Sequence, residues 1–143
     1  MKIQKIVPFL WFNSGAEEVA KFYTTVFKNS KITASNPLVT TMEIEGLDLM
    51  FLNGGPHFKL NESFSLLINC ENQEEIDYYW NKLTAGGQES QCGWLKDKYG
   101  VSWQVVPTIL GKLMSDPSKV QKVTAAFMKM KKFNIRELEE AAV

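Results

Sequence analysis

The sequence predicts an α+β fold in which one β-α-β-β-β unit is written twice and a helical extension follows. Three observations lead there. A segment near residue 19 recurs 57 positions later: Glu17-Glu18 falls on Glu74-Glu75, Val19 on Ile76, Phe22-Tyr23 on Tyr79-Trp80 and Val26 on Leu83, with Phe9-Leu10 on Leu66-Leu67 upstream. Each copy passes from an apolar run to helical periodicity and then to short runs separated by turn residues. The residues after Pro107 have no counterpart in the first half. Two copies of one small unit are expected to face each other and enclose a cleft. The 143 residues suit a single domain, divided into a first module over 1–57, a second over 58–107 and C-terminal helices over 108–143.

Residues 3–12 are apolar and aromatic and read as a strand covered on both faces. Pro8 has no N–H, so it fits an edge, a bulge or a position facing away from the ladder. Ser14-Gly15-Ala16-Glu17 has capping-box spacing. Val19, Phe22, Tyr23, Val26 and Phe27 then form one buried helical face. Asn29-Ser30 breaks the pattern, and 31–35, 39–45 and 47–53 read as strands joined by turns at Asn36-Pro37 and Glu45-Gly46. In the second copy, 63–70 is a strand. Asn72 with Glu75 starts a helix whose buried face is Ile76, Tyr79, Trp80 and Leu83, and Gly86-Gly87 ends it. Short strands follow near 89–92, 94–98 and 101–107. After a short apolar stretch over 108–114, Asp116-Pro117-Ser118 predicts a helix start. Val120, Val123, Thr124, Phe127 and Met130 follow at helical spacing, and Asn134 with Glu137 begins a last short helix. This extension is expected to cap the sheet or to build a dimer interface.

Composition excludes several classes of function. Sixteen basic residues balance sixteen acidic ones, so no charged field draws in nucleic acid. No apolar stretch approaches the ~20 residues needed to span a bilayer. The two cysteines, Cys70 and Cys92, are too few for a disulfide framework and fit a reducing compartment. Met1-Lys2-Ile3-Gln4-Lys5-Ile6 lacks the long apolar core of a signal peptide. The expectation is a cytoplasmic protein.

Several segments resemble a known family: Leu10-Trp11-Phe12, Phe22-Tyr23, Leu52-Asn53-Gly54-Gly55-Pro56-His57-Phe58, Tyr78-Tyr79-Trp80-Asn81-Lys82-Leu83, and the run from Gln91 to Pro107, QCGWLKDKYGVSWQVVP. Together with the doubled βαβββ unit, they resemble the PhnB-like group of the vicinal oxygen chelate superfamily, which also holds glyoxalases, bleomycin-resistance proteins and extradiol dioxygenases. The group is often labelled 3-demethylubiquinone-9 3-methyltransferase-like. The resemblance covers nearly the whole chain. The connection around Ser35-Asn36-Pro37 looks shorter than in most relatives. The resemblance also implies a homodimer.

The superfamily's usual chemistry implies a divalent ion that polarises the substrate's oxygens, held from the first and fourth strands of each module. Those positions fall on Pro8, Leu49, Ser65 and Gln104. Proline and leucine have nothing to donate, and a hydroxyl and an amide are weak, uncharged donors. No metal and no cofactor is therefore expected. Strand alternation from these positions predicts what faces the cleft instead: Leu10 and Phe12 in the first strand, Leu49, Phe51 and Asn53 in the fourth, Ser65, Leu67 and Asn69 in the fifth, and Ser102 and Gln104 in the last. Phe9, Trp11 and Trp103 should then back onto the helices. Apolar walls with a few placed polar groups suit a small-molecule site. The same pattern also suits a filled core with satisfied polar groups.

His57, in a glycine-proline turn, is a solvated residue or an acid-base group. Cys92, near Lys96 and Lys98, is a loop thiol or an activated one. Asp97 before Gly100 is expected to bond backbone N–H groups in a turn. The group's label implies a methyltransferase, yet Gly54-Gly55 and Gly86-Gly87 are isolated pairs, without the glycine-rich strand-to-helix loop of a Rossmann-like cofactor site. Three readings follow: a metal-free protein that binds a small, largely apolar ligand; a metal-dependent enzyme of the glyoxalase or dioxygenase type; and a methyltransferase.

Overall fold

The computed structural model describes residues 3–143. The chain forms two compact units, divided between Leu60 and Asn61. In the first, β1 (Phe9–Phe12) leads into α1 (Ala16–Val26), then β2 (Ser30–Ser35), β3 (Val39–Ile44) and β4 (Leu47–Asn53). The sheet order is β1-β4-β3-β2, with β1 parallel to β4 and the other pairs antiparallel. In the second, β5 (Ser65–Cys70) leads into α2 (Gln73–Thr84), then β6 (Gln88–Glu89), β7 (Trp94–Lys96) and β8 (Ser102–Pro107). Its order, β5-β8-β7-β6, repeats that of the first unit, again with the outer pair parallel. The repeat in the sequence is therefore a repeat of topology.

Both helices cover one face of their sheet, as their apolar spacing requires. Ala16, Val19, Ala20, Tyr23 and Val26 are buried on α1, and Ile76, Trp80 and Leu83 on α2. The start of α2 is capped as its sequence demands. Asn72 Oδ1 accepts from Glu75 N at 2.9 Å, and Glu75 Oε1 accepts from Glu71 N at 2.8 Å. The start of α1 is not. Gly15 occupies the cap position in a left-handed conformation with no side chain to offer, and the first helical N–H, on Ala16, donates instead to Asn53 Oδ1 at 2.8 Å.

The strand expected at 89–92 stops at Glu89. Cys92 and Gly93 both have positive φ, and their N–H groups donate to Met130 O and Lys131 O at 2.8 and 2.7 Å. The C-terminal extension thus takes up backbone donors that a ladder would have used. That extension holds α3 (Thr108–Met114), α4 (Val120–Phe127) and α5 (Ile135–Ala141). Asp116 does not open α4 directly. Its Oδ1 accepts from Ser118 N and Oγ, and Lys119 N donates to Asp116 O at 2.9 Å. A separate turn therefore closes before the α-helix begins. Asn134 caps α5, accepting from Glu137 N at 3.0 Å.

The extension docks on its own unit. Gln73 Nε2 donates to Phe133 O and Gln73 Oε1 accepts from Ile135 N. Lys132 pairs with Asp77 at 2.8 Å. Val123, Phe133 and Leu138 are buried. Their burial is worth about 1.5–3 kcal/mol per side chain, which outweighs the partly exposed ion pair. Among the described residues no helix is long and apolar enough to cross a membrane.

Candidate functional site

In the first unit the faces of β1 and β4 are opposite to the expectation. Leu10, Phe12, Leu49 and Phe51 are buried. The Phe51 ring meets the Phe12 ring edge-on at 5.5 Å and the Tyr23 ring of α1 at 5.9 Å. Leu10 lies beside Phe51 in the parallel register, and Leu49 lies opposite buried Met42. These four side chains are the core between sheet and helix, not the lining of an open face. The cause is one residue of connection length. Three residues, Asn13-Ser14-Gly15, join β1 to α1, whereas two, Glu71-Asn72, join β5 to α2. Helices aligned at the repeat offset therefore bring strands one residue out of phase, and one residue turns a strand over.

Asn53 also leaves the predicted lining. Its Oδ1 receives the Ala16 N–H and its Nδ2 donates to Pro37 O at 3.0 Å, so it ties the start of α1 to the β2–β3 turn. Pro8 stands just before β1, where its carbonyl accepts from Met50 N at 3.0 Å and its missing N–H costs nothing. The face turned away from α1 carries Phe9, which is 53% exposed, together with Trp11, Met50 and Leu52. Trp11 lies over Gly54, its Nε1 donating to Gly55 O at 2.9 Å, and its ring meets Phe58 edge-on at 4.9 Å. The Gly54-Gly55 pair serves this contact.

In the second unit the expected alternation is present. Leu66, Ile68, Trp103 and Val105 share one face by register. Ser65, Leu67, Asn69, Ser102 and Gln104 share the face turned away from α2. Leu67 is 49% exposed and Asn69 is exposed. Register also lines up a transverse row across all four strands: Gln88 opposite Lys96, Lys96 opposite Ser102, Ser102 beside Ser65. Trp94 sits opposite Gln104 in the next row.

These rows border a cavity of about 350 Å³ lined by Glu62, Gln88, Trp94, Lys96 and Ser102, among others. One buried side-chain polar atom among the described residues has no hydrogen-bond partner, and it lies on this cavity wall. On the same sheet face Gln104 Nε2 donates to Ser65 Oγ at 3.0 Å. Lys96 Nζ forms an ion pair with Glu62, and the hydrogen bond from that ammonium, helped by its charge, holds the Glu62 carboxyl below its ordinary range. Ser102 is 2% exposed, and its Oγ has no hydrogen-bond partner. A buried hydroxyl without a partner costs about 1–3 kcal/mol, so its place on a cavity wall calls for an incoming group.

The contributions of Lys96 and Glu62 were not legible beforehand. Lys96 reads as a turn-flanking residue until β7 is paired with β8 and its side chain falls opposite Ser102. Nothing in the sequence marks Glu62.

The remaining candidates lie elsewhere. His57 is exposed in the turn after Gly55. The Cys92 thiol faces Phe127 O at 3.6 Å and the Met128 sulfur at 3.8 Å in the extension. Cys70 is buried, and burial pushes its thiol up to about 12. Asp97 is buried and accepts from Tyr99 N and Val101 N, the turn role its sequence suggests. Trp80 donates to Glu89 at 3.0 Å and Trp103 to Asp97 at 2.9 Å. Trp94 alone of the four tryptophans borders the cavity.

The dication implied by the resemblance finds no suitable donors. Leu49 is in the core, Pro8 precedes the strand, and Ser65 is engaged with Gln104. Among the described residues no three His, Cys, Asp or Glu side chains are grouped to hold a metal ion. Neutral hydroxyl and amide oxygens lack the charge to compete with water for such an ion.

Comparison with known proteins agrees with the geometry. The sequence model described as 3-demethylubiquinone-9 3-methyltransferase matches residues 4–106. A PhnB protein from Bacillus cereus, solved under the same family description, is 32% identical over 73% of this chain and all of its own, with a TM-score of 0.67. Protein PA1353 from Pseudomonas aeruginosa is 19% identical over 73% of this chain and 98% of its own, with a TM-score of 0.61. The fosfomycin resistance protein FosX from Listeria monocytogenes, solved with Mn(II) and sulfate, is 15% identical over 80% of this chain and 98% of its own, with a TM-score of 0.59. The last two share the fold. No curated protein matches the chain. With two four-stranded sheets of one topology, a fold shared with FosX, and a family match over most of its length, the chain belongs to the PhnB-like, 3-demethylubiquinone-9 3-methyltransferase family.

Proposed function

We propose that this protein binds a small, largely apolar molecule against the face of β5–β8 turned away from α2, without a resident dication. The observation that carries the reading is the cavity of about 350 Å³, walled by the Trp94 indole and a few fixed polar groups. Its size is that of small-molecule sites, and Trp94 and Leu95 supply apolar wall among the polar groups. Leu67 and Val106 extend the apolar surface along the same face. In this reading the protein acts by holding and shielding its ligand, and the donor set described above argues against a metal-activated step.

The family description names methyl transfer. Neither strand-to-helix connection, Asn13-Ser14-Gly15 or Glu71-Asn72, offers the glycine-rich loop on which a Rossmann-like enzyme seats its cofactor. Calorimetry with S-adenosylmethionine is expected to show no saturable binding. Mass spectrometry of denatured, freshly purified protein is expected to release a stoichiometric small molecule, and elemental analysis less than one divalent ion per chain. A stoichiometric ion, or micromolar binding of S-adenosylmethionine, overturns the reading in favour of the corresponding enzyme. We also propose a homodimer, which light scattering tests against the 16.3 kDa of one chain.

A further inference from the structure

Resting on the cavity reading just given, we propose that the ligand is a small organic monocarboxylic acid, whose carboxylate takes the place of Glu62 on Lys96 and accepts a hydrogen bond from Ser102. Lys96 and Ser102 are direct partners across β7 and β8, so their side chains leave the sheet side by side. Lys96 is the inner member of its ion pair: its side chain is 30% exposed, against 64% for Glu62. Glu62 reaches in from the turn that precedes β5. An ion pair with so exposed a partner is weak and exchangeable. The Glu62 carboxylate thus stands where a ligand's carboxylate would stand, but the Ser102 hydroxyl on the same cavity wall remains without a partner. A free carboxylate, with two oxygens on one carbon, can serve the ammonium and the hydroxyl together.

The charge of the lining selects the class. Lys96 brings one positive charge, whereas Glu62 and Glu89 bring two negative ones. Glu89 is occupied by the Trp80 indole. With Glu62 swung out to solvent, Lys96 meets the one charge of a monocarboxylate, whereas a doubly charged phosphate would set a further negative charge near Glu89. A neutral ligand leaves Glu62 in place and answers only Ser102. The Trp94 indole borders the cavity and supplies a surface for the apolar or aromatic body of the acid.

The test is a titration of the full ¹⁵N-labelled chain with phenylacetate and, separately, with phenylacetamide, followed through the backbone amides of Trp94, Leu95, Lys96 and Ser102. Phenylacetate is expected to bind about tenfold more tightly than the amide, as a charge-assisted hydrogen bond allows. Glu62→Gln removes the internal competitor from an exposed position and is expected to tighten phenylacetate binding at least about threefold, and by a larger factor than it tightens phenylacetamide. Lys96→Met is expected to abolish the preference for acid over amide. Equal binding of acid and amide at these amides overturns the carboxylate assignment and leaves the cavity reading standing. No perturbation by either probe overturns both. Unchanged or weakened phenylacetate binding in Glu62→Gln overturns the displacement of Glu62.

Discussion

Asp97 Oδ2 accepts a hydrogen bond from the Trp103 indole Nε1 at 2.9 Å, with both residues buried in the second unit. The other carboxylate oxygen receives Tyr99 N at 2.9 Å and Val101 N at 3.1 Å. One side chain therefore shapes the β7–β8 turn and fixes the ring that backs β8. Lys96 and Ser102, the partnered positions on the cavity face, lie directly before and after this turn, so the geometry of the proposed site depends on it.

Asp97→Asn should expose that dependence. The amide oxygen can still receive the two backbone N–H groups, but its NH₂ then confronts the indole N–H, donor against donor. The expected cost is about 2 kcal/mol, read from the urea midpoint at unchanged slope. Adding Trp103→Phe removes the confronting donor, and the double variant should lose at least about 0.5 kcal/mol less than the sum of the single ones. Strict additivity would mean that the indole contact does not couple the two residues.

Asn53 makes a second such tie, between the start of α1 and the β2–β3 turn. Asn53→Ala removes the acceptor for Ala16 N and the donor to Pro37 O, and should cost about 1 kcal/mol, as loss of a cap does. Asn53→Asp keeps the cap and adds a negative charge at the positive end of the helix, but it sets an oxygen against the Pro37 carbonyl. Its thermal midpoint should fall between those of the parent and the alanine variant. An alanine variant as stable as the parent would show that water replaces the cap without loss.

Asn53 also marks the boundary of what the sequence made legible. Helix faces were readable because 3.6-residue periodicity is internal to each helix, and Asn72 and Asn134 were readable as caps because their partners lie three residues away. The second sheet's cavity face followed from alternation. The first sheet's face did not, because parity there depends on the number of residues between Phe12 and Ala16, and an alignment of helices does not see a single extra loop residue. Asn53 has strand parity but a capping role, set by a helix start 37 residues earlier. Glu62 sits in a turn without periodicity, and its partner is found only once β7 is in place. Local signals carried local structure; contacts across the sheet needed the fold.

Gly54 should be the least replaceable residue of its segment. A Cβ built there would lie 2.3 Å from Trp11 Cε2 and within 2.7 Å of two more ring atoms. Gly54→Ala must therefore push the indole off the Gly55 carbonyl, which it now reaches at 2.9 Å. The expected loss is about 2–3 kcal/mol, typical of overpacking, with a change in the near-ultraviolet tryptophan signal. Trp11→Leu added to Gly54→Ala should recover part of it by removing the ring. A stable Gly54→Ala protein with an unchanged spectrum would place the indole elsewhere.

Alkaline pH should act through Cys70. Burial is the main cause that lifts its thiol from 9.0 to about 12, and the nearby charges of Glu75 and Glu71 push the same way. The folded state therefore holds this proton more tightly than the unfolded chain. Its contribution is fully present below pH 9 and is lost as the pH rises from there through about 12, at up to about 1.4 kcal/mol for each pH unit. Denaturant melts between pH 8 and 11 should show the parent losing more stability than Cys70→Ala, whatever offset the missing side chain adds at pH 8. The thiol should also resist an aromatic disulfide reagent at pH 8 in the native state and react once guanidinium unfolds the chain. Parallel pH curves for parent and variant would place the Cys70 thiol in contact with solvent rather than beneath α2.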